Sequence, residues 1–282
     1  MRKLGTSLVL LTALSIPAAA EGPAKQAEPG PQTRTLSVAY SIAFWGIAFG
    51  QTNYDGRFNE AGYSARSHFE TSGIVSVFWN AIIDATAYGR IAKHQMMPNE
   101  YDSYYRRSET KKERVKVTFA NGDVATFADP PYSATQWPVT DEQKREALDP
   151  MSAITLILAG VKADAANPCG TVAPVFDGRR RYDIAFTYVK DEPVKLANGL
   201  YNGRAHLCQL HYNQIAGYKP KILKEGKAFP PMYADFADVP APGGGHYVVA
   251  LKLWAAVSMG IISGTVTADL TQLHVGGEPA KS

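Results

Sequence analysis

The residues of this chain best equipped for chemistry lie in Asp177-Gly178-Arg179-Arg180-Arg181-Tyr182-Asp183, three guanidinium groups between two carboxylates. Guanidinium grips phosphate or carboxylate through paired N–H donors, so Arg179, Arg180 and Arg181 are the candidate contact for an anion or an acidic partner. In an extended strand Arg179 and Arg181 share one face while Arg180 and Tyr182 share the other. The plainer reading, a turn followed by cross-strand ion pairs with Asp183 and other carboxylates, is preferred. A second constellation is His206-Leu-Cys208-Gln-Leu-His211, with two imidazoles and a thiol that could ligate zinc. On a strand, His206 and Cys208 share a face and His211 points away. Only two cysteines are present, Cys169 and Cys208. In an oxidising compartment such a pair is expected as a disulfide, which withdraws both thiolates from metal binding. Closing a loop of about 40 residues is valued at roughly 4 kcal/mol in the chain-entropy model.

Other reaction signatures are missing. There is no G-x-S-x-G and no free-thiol Cys–His pair. The six His residues, at 68, 94, 206, 211, 246 and 274, are scattered, with no HExxH. Gly243-Gly244-Gly245 precedes a strand and lacks the strand-before, helix-after setting of a phosphate loop. Asp235 and Asp238 are close in sequence, but spacing alone does not place them in one cleft. No catalytic residue, metal ligand or cofactor is assigned. The aromatic residues, among them Tyr40, Phe44, Trp45, Phe49, Tyr54, Tyr101 and Trp254, exceed what a tight β core requires. Most are expected in the core, with some lining an apolar cavity.

The elements that must position these groups begin after an N-terminal export signal. Arg2 and Lys3, the apolar run Leu4 to Ile16 and the small residues before Glu21 form the layout of a signal peptide, with Ala18 and Ala20 in A-x-A positions. The apolar run is shorter than the roughly 20 residues of a spanning helix. The expectation is residues 1–20 as signal peptide, 21–34 as a flexible leader and 35–282 as one β-rich domain. It includes cleavage after Ala20, a periplasmic location and no transmembrane segment thereafter. Lys plus Arg is 29 and Asp plus Glu 26, a formal charge of +3. Two of the positives lie in the signal, so the remainder is nearly neutral, unlike a nucleic-acid binder.

Most of the domain reads as strands. Thr35 to Gly50 is β-branched and aromatic, with bends at Gly46 and Gly50. Gly62 to Glu70, Tyr101 to Arg107 and Arg114 to Ala120 follow, and Asn121-Gly122 marks a type I′ hairpin. Arg181 to Lys190, Leu200 to Tyr212, His246 to Trp254 and Gly264 to Val275 are further strands. Thr140 caps a polar helix to Leu148. Asp149 caps a second, apolar helix to Ala159, with Pro150 at its first position and Gly160 as its stop. Ile74 to Ala85 fits a helix or strands equally. Roughly ten strands and two or three helices predict a mainly β fold. It is a curved antiparallel sheet forming an open or partly closed β-barrel, capped by helices.

Asp149-Pro150-Met151-Ser152-Ala153, Cys169, the run Val175 to Asp183, Tyr201-x-Gly203-x-Ala205-x-x-Cys208 and Ile215-Ala216-Gly217-Tyr218 occur in that order. With them the chain resembles the exported proteobacterial family called domain of unknown function 3108, over roughly Ser37 to Leu273. The resemblance implies an envelope location and a mostly β fold. It implies no reaction.

Three function classes follow. The first is a non-catalytic periplasmic protein that shelters a lipid or other hydrophobic ligand in its curved sheet. The second is an envelope structural or protein-interaction module without a small ligand. The third is a hydrolase whose site is assembled from distant residues. A continuous apolar interior favours the first, a filled interior the second, and converging carboxylates with shifted pKa the third.

Overall fold

The computed structural model describes residues 33–59, 62–73, 76, 80–92, 95–132, 137–160, 168–225, 229–242, 245–259 and 262–277. The expected signal peptide, most of the leader, His94, Gly243, Gly244 and residues 74, 75 and 77–79 lie outside them. The N-terminal half is a run of seven strands: β1 (Arg34–Phe44), β2 (Ile47–Phe58), β3 (Tyr63–Thr71), β4 (Ile82–Ala92), β5 (Gln95–Ser108), β6 (Lys111–Ala120) and β7 (Asp123–Asp129). Helices α1 (Asp141–Arg145) and α2 (Pro150–Leu158) follow, then a short 3₁₀ turn, Pro168–Gly170. The second half holds β8 (Val172–Phe176), β9 (Arg181–Lys195), β10 (Asn202–Ala216), α3 (Pro220–Glu225), β11 (Met232–Pro240), β12 (His246–Met259) and β13 (Ile262–Gly277).

All 13 strands form one sheet in the order β7-β6-β5-β4-β3-β2-β1-β13-β12-β11-β10-β9-β8. Each half is an antiparallel meander, and β1 joins them by pairing with β13 from Arg34↔Gly277 to Phe44↔Val266. The sheet is not closed, because β7 and β8 are its two edges. At the seam Leu148 N–H donates to Pro174 O and Phe176 N–H to Leu148 O, which gives the β8 edge a short partner. The turn at Gly178 (φ +93°) presses against β6 and β7. A Cβ there would stand 2.7 Å from Val115 Cγ1 and 3.2 Å from Thr126 Cγ2.

Where local backbone chemistry decides, the expected elements form. Asn121 (φ 53°) and Gly122 (φ 86°) make the two-residue turn between Ala120 and its partner Asp123. Thr140 caps α1, with Gln143 completing a reciprocal capping box, and the helix is shorter than expected. Asp149 caps α2, Pro150 opens it and Gly160 (φ 62°) follows it. Thr35 to Gly50 departs from expectation. It is two strands joined by Trp45-Gly46, with both residues at positive φ, so the expected bend is a complete hairpin turn. The second hairpin expected at Phe176-Asp177-Gly178-Arg179 joins β8 to β9, and the strand alternative for Ile74 to Ala85 holds where β4 begins at Ile82; strand β11 and helix α3 were not anticipated.

Helix α2 is the core of the interior. Met151, Ser152, Ala153, Thr155, Leu156 and Leu158 are buried, and the helix packs on β3, β4, β5, β8 and β12. Its two buried hydroxyls meet tyrosines from the strands, Thr155 with Tyr54 and Ser152 with Tyr63. A polar residue inside a core is tolerated when its hydrogen bonds are made there.

Candidate functional site

The opposite side of α2 is not packed solid. Pro150, Ala153, Ile154 and Ile157 follow i, i+3, i+4, i+7 spacing, one stripe of a helix. They face strands β8 to β13 and the start of the sheet across an apolar cavity of about 440 Å³. Tyr182, Ile184 and Phe186 of β9, Leu210 and Tyr212 of β10, Phe236 of β11 and Leu253 of β12 form the facing wall. Tyr40 and Thr52 close the far side. Ile154 is 41% exposed, so the cavity reaches solvent past the outer turn of the helix.

Three of the polar side chains in this wall are engaged in hydrogen bonds. Tyr40 Oη donates to Ala250 O at 2.9 Å, and Thr52 Oγ1 to His68 O at 3.0 Å. The Tyr212 and Tyr218 hydroxyls are 2.7 Å apart. Aromatic rings set the shape: Tyr182 stacks on Tyr212 at 4.5 Å, and Phe186 meets Phe236 edge-on at 5.2 Å. Phe229, exposed, leans on Tyr212 from outside with ring centroids 4.6 Å apart. Such a wall recognises apolar bulk and supplies no group for bond cleavage.

A polar cleft of about 280 Å³ adjoins it, lined by Tyr101, Ser103, Glu113, Tyr132, Asp177, Arg179 and Arg180. Here the arginine run divides. Strand β9 starts at Arg181, so the expected sharing of a strand face by Arg179 and Arg181 does not occur. Asp177 Oδ1 accepts the N–H groups of Arg179 (2.9 Å) and Arg180 (2.6 Å) and folds those residues into a turn. Burial pushes the Asp177 carboxyl up in pKa, against the opposing pull of these backbone donors. Arg181 is 8% exposed and committed to Asp183 Oδ1 (2.5 Å) and Tyr182 O (2.7 Å). Arg179 and Arg180 project outward, stacked on Tyr132 (5.1 Å) and Tyr218 (5.5 Å). Neither has a carboxylate within ion-pair distance among the described residues.

Cys169 and Cys208 form a disulfide, which ties the 3₁₀ turn after α2 to β10. The zinc reading of His206, Cys208 and His211 therefore loses its thiolate. His206 Nδ1 instead lies 2.7 Å from Asp191 Oδ1, and His211 Nε2 3.0 Å from Thr187 Oγ1. Among the described residues no group of three His, Cys, Asp or Glu is placed to hold a metal.

Two carboxyls are raised to a pKa of about 6. Asp149 is driven there by burial, although Ser152 N–H and Oγ both bind it. Asp235 is raised first by burial and then by the Glu192 carboxylate beside it, and its Oδ1 has no partner. Neither lines the apolar cavity, and Asp238 lies against His246 rather than Asp235.

The family model described as protein of unknown function (DUF3108) matches residues 37–228. The chain belongs to this family. The match takes in α2, the disulfide and the arginine turn, but only part of the cavity wall, since β11, β12 and β13 lie beyond it. A search of curated proteins found no match. Among solved structures, a β-barrel-like protein of the domain of unknown function DUF1849 from Brucella abortus is similar, with a TM-score of 0.45 and 11% identity. The alignment covers 87% of this chain and 98% of that one.

Sequence reasoning placed α2, the disulfide and the arginine turn, and it missed most of the cavity wall. The stripe Pro150, Ala153, Ile154, Ile157 was a readable signal for the helix side. No comparable signal marks Leu210 or Phe236, whose neighbours in space come from distant strands.

Proposed function

We propose that this protein is a non-catalytic carrier that shelters a lipid acyl chain or similar hydrophobic ligand between α2 and strands β8–β13, and that it does so in the periplasm. The observation that carries the reading is the cavity of about 440 Å³, apolar-walled and open to solvent. Its size lies within the roughly 300–1,000 Å³ typical of small-ligand pockets. Burying ligand surface there yields about 25 cal/mol per Å² removed from water, and no reacting group is needed. Arg179 and Arg180, in the neighbouring cleft, suit a carboxylate or phosphate headgroup. The signal-peptide layout at 1–20 supports the compartment, and the disulfide agrees with an oxidising one.

Titration with a fluorescent fatty-acid analogue tests the carrier reading. Saturation near one probe per chain, with competition by phospholipid and an unchanged circular dichroism spectrum, is the expected result. No probe uptake by the native protein would overturn it in favour of an envelope interaction module. N-terminal sequencing of the exported protein tests the compartment, with Glu21 expected first.

A further inference from the structure

The hairpin turn between β1 and β2 is built of the wrong residue for folding. A two-residue turn with positive φ at both positions favours Asn-Gly, which the chain uses at Asn121-Gly122. At the first turn the same backbone (φ 52° and 78°) is occupied by Trp45-Gly46. A bulky residue is strained in the left-handed region. Burial recovers only part of this: Trp45 stacks on Phe44 (5.2 Å) and lies over Gly264, yet it stays 62% exposed, and Ile47, across the turn, is 61% exposed. An indole and a sec-butyl group held in water at a strained tip are better explained by a partner than by stability.

Registry shows what surrounds this tip. The pairings Phe44↔Val266, Ala255↔Val266, Met232↔Ala255 and Leu210↔Met232 run one way round the sheet. The pairings Gly50↔Thr71, Glu70↔Ile82, Ile82↔Arg106 and Arg106↔Lys112 run the other. They bring the β1–β2, β5–β6, β8–β9 and β10–β11 connections to one end of the strands. The β5–β6 hairpin end, residues 106–112, carries Arg106, Arg107, Lys111 and Lys112 against the single acid Glu109, which pairs with Arg106 and Lys112. The β10–β11 connection carries exposed Lys219 and Lys224, and the β8–β9 turn adds Arg179 and Arg180. Basic residues thus accompany Trp45 at this end of the sheet.

From this juxtaposition we infer that this end of the sheet docks on an anionic phospholipid bilayer. Trp45 and Ile47 enter the headgroup region, where indole partitions favourably. The surrounding Arg and Lys residues meet lipid phosphates. The inference is tested apart from the carrier reading, because Trp45, Ile47, Arg107 and Lys111 do not line the cavity and only Arg179 and Arg180 serve both.

Vesicle flotation of the full chain tests it, with phosphatidylcholine vesicles compared against phosphatidylcholine–phosphatidylglycerol vesicles at low and high salt. Wild type and variants share one N-terminus, so any contribution from residues 4–16 is common to all. Binding should require phosphatidylglycerol and weaken with salt. Arg107→Gln and Lys111→Gln should each lower the partition coefficient about five-fold. Trp45→Asn should lower it roughly ten-fold while leaving the melting temperature unchanged or higher, because Asn suits the turn. Absence of binding at low salt, or equal binding by Trp45→Asn, would overturn the inference. Retention on heparin by wild type and Trp45→Asn alike, without vesicle binding, would also overturn it and mark a site for an acidic macromolecule. Probe uptake into the cavity is measured separately, so failure of one reading leaves the other standing.

Discussion

Tyr54 Oη lies 2.9 Å from Thr155 Oγ1, across the interface between β2 and α2. Thr155 Oγ1 already donates its proton to Met151 O at 2.7 Å, so Tyr54 must be the donor in the pair. Tyr63 bears the same relation to Ser152, whose hydroxyl donates to Asp149. Two strand tyrosines therefore fix the rotation of α2, and with it the side that faces the cavity.

The direction of these bonds predicts an asymmetry. Tyr54→Phe removes a donor and leaves Thr155 bonded to Met151, at a cost of about 1 kcal/mol. Thr155→Val strands the Tyr54 hydroxyl in the core and should cost about 2–3 kcal/mol. Urea unfolding of both variants checks the order, and a larger loss from Tyr54→Phe would contradict it.

Cys169 and Cys208 are almost fully buried, at 1% and 0% exposure. Replacing both with Ala should lower stability by about 2–4 kcal/mol. Alkylation of the unfolded, non-reduced wild type should label neither residue. Two labelled thiols would show the bond to be absent in solution.

Asp235 gives a pH signature. Its folded pKa of about 6 stands above the ordinary value of 3.8, so the folded state binds the extra proton between those limits. This residue's contribution to stability is therefore lost as pH rises from about 4 through 6. Asp235→Asn should be more stable than wild type at pH 7, on the order of 1 kcal/mol. The advantage should fade toward pH 4. A pH-independent difference in melting temperature would refute the assignment.

Filling the cavity should abolish its use. Ile157→Trp projects an indole from α2 toward Phe236 and Leu210, and should weaken probe binding at least ten-fold. The strain is about 1–3 kcal/mol if the ring is forced off its rotamer. Leu210→Ala should retain binding. Undiminished affinity in Ile157→Trp would place the probe elsewhere.

Headgroup selection should depend on the outward arginines. Arg179→Gln with Arg180→Gln should reduce affinity for a carboxylate-headed amphiphile five- to ten-fold, about the worth of a charge-assisted hydrogen bond. Affinity for its methyl ester should be little changed. Equal losses for both ligands would remove the arginines from headgroup contact.

What the sequence determined by itself is local. Asn121-Gly122, the Thr140 capping box and the Asp149-Pro150 start of α2 are written in a few adjacent residues, because φ preferences and caps act over one turn. The mainly β class followed from alternation and β-branched content, and the disulfide from there being only two cysteines. Strand β11 escaped notice because Asp235 and Asp238 break its alternation, while pairing with β10 and β12 holds it in place. The arginine run shows the boundary clearly. Three like residues in a row became one buried ion pair at Arg181 and two outward stacks at Arg179 and Arg180: the Asp177 turn is local, but the rings of Tyr132 and Tyr218 come from elsewhere in the chain. The cavity belongs wholly to tertiary structure. An apolar side chain that fills a core and one that walls a void have the same sequence signature, and only the separation between α2 and the curved sheet decides which it becomes.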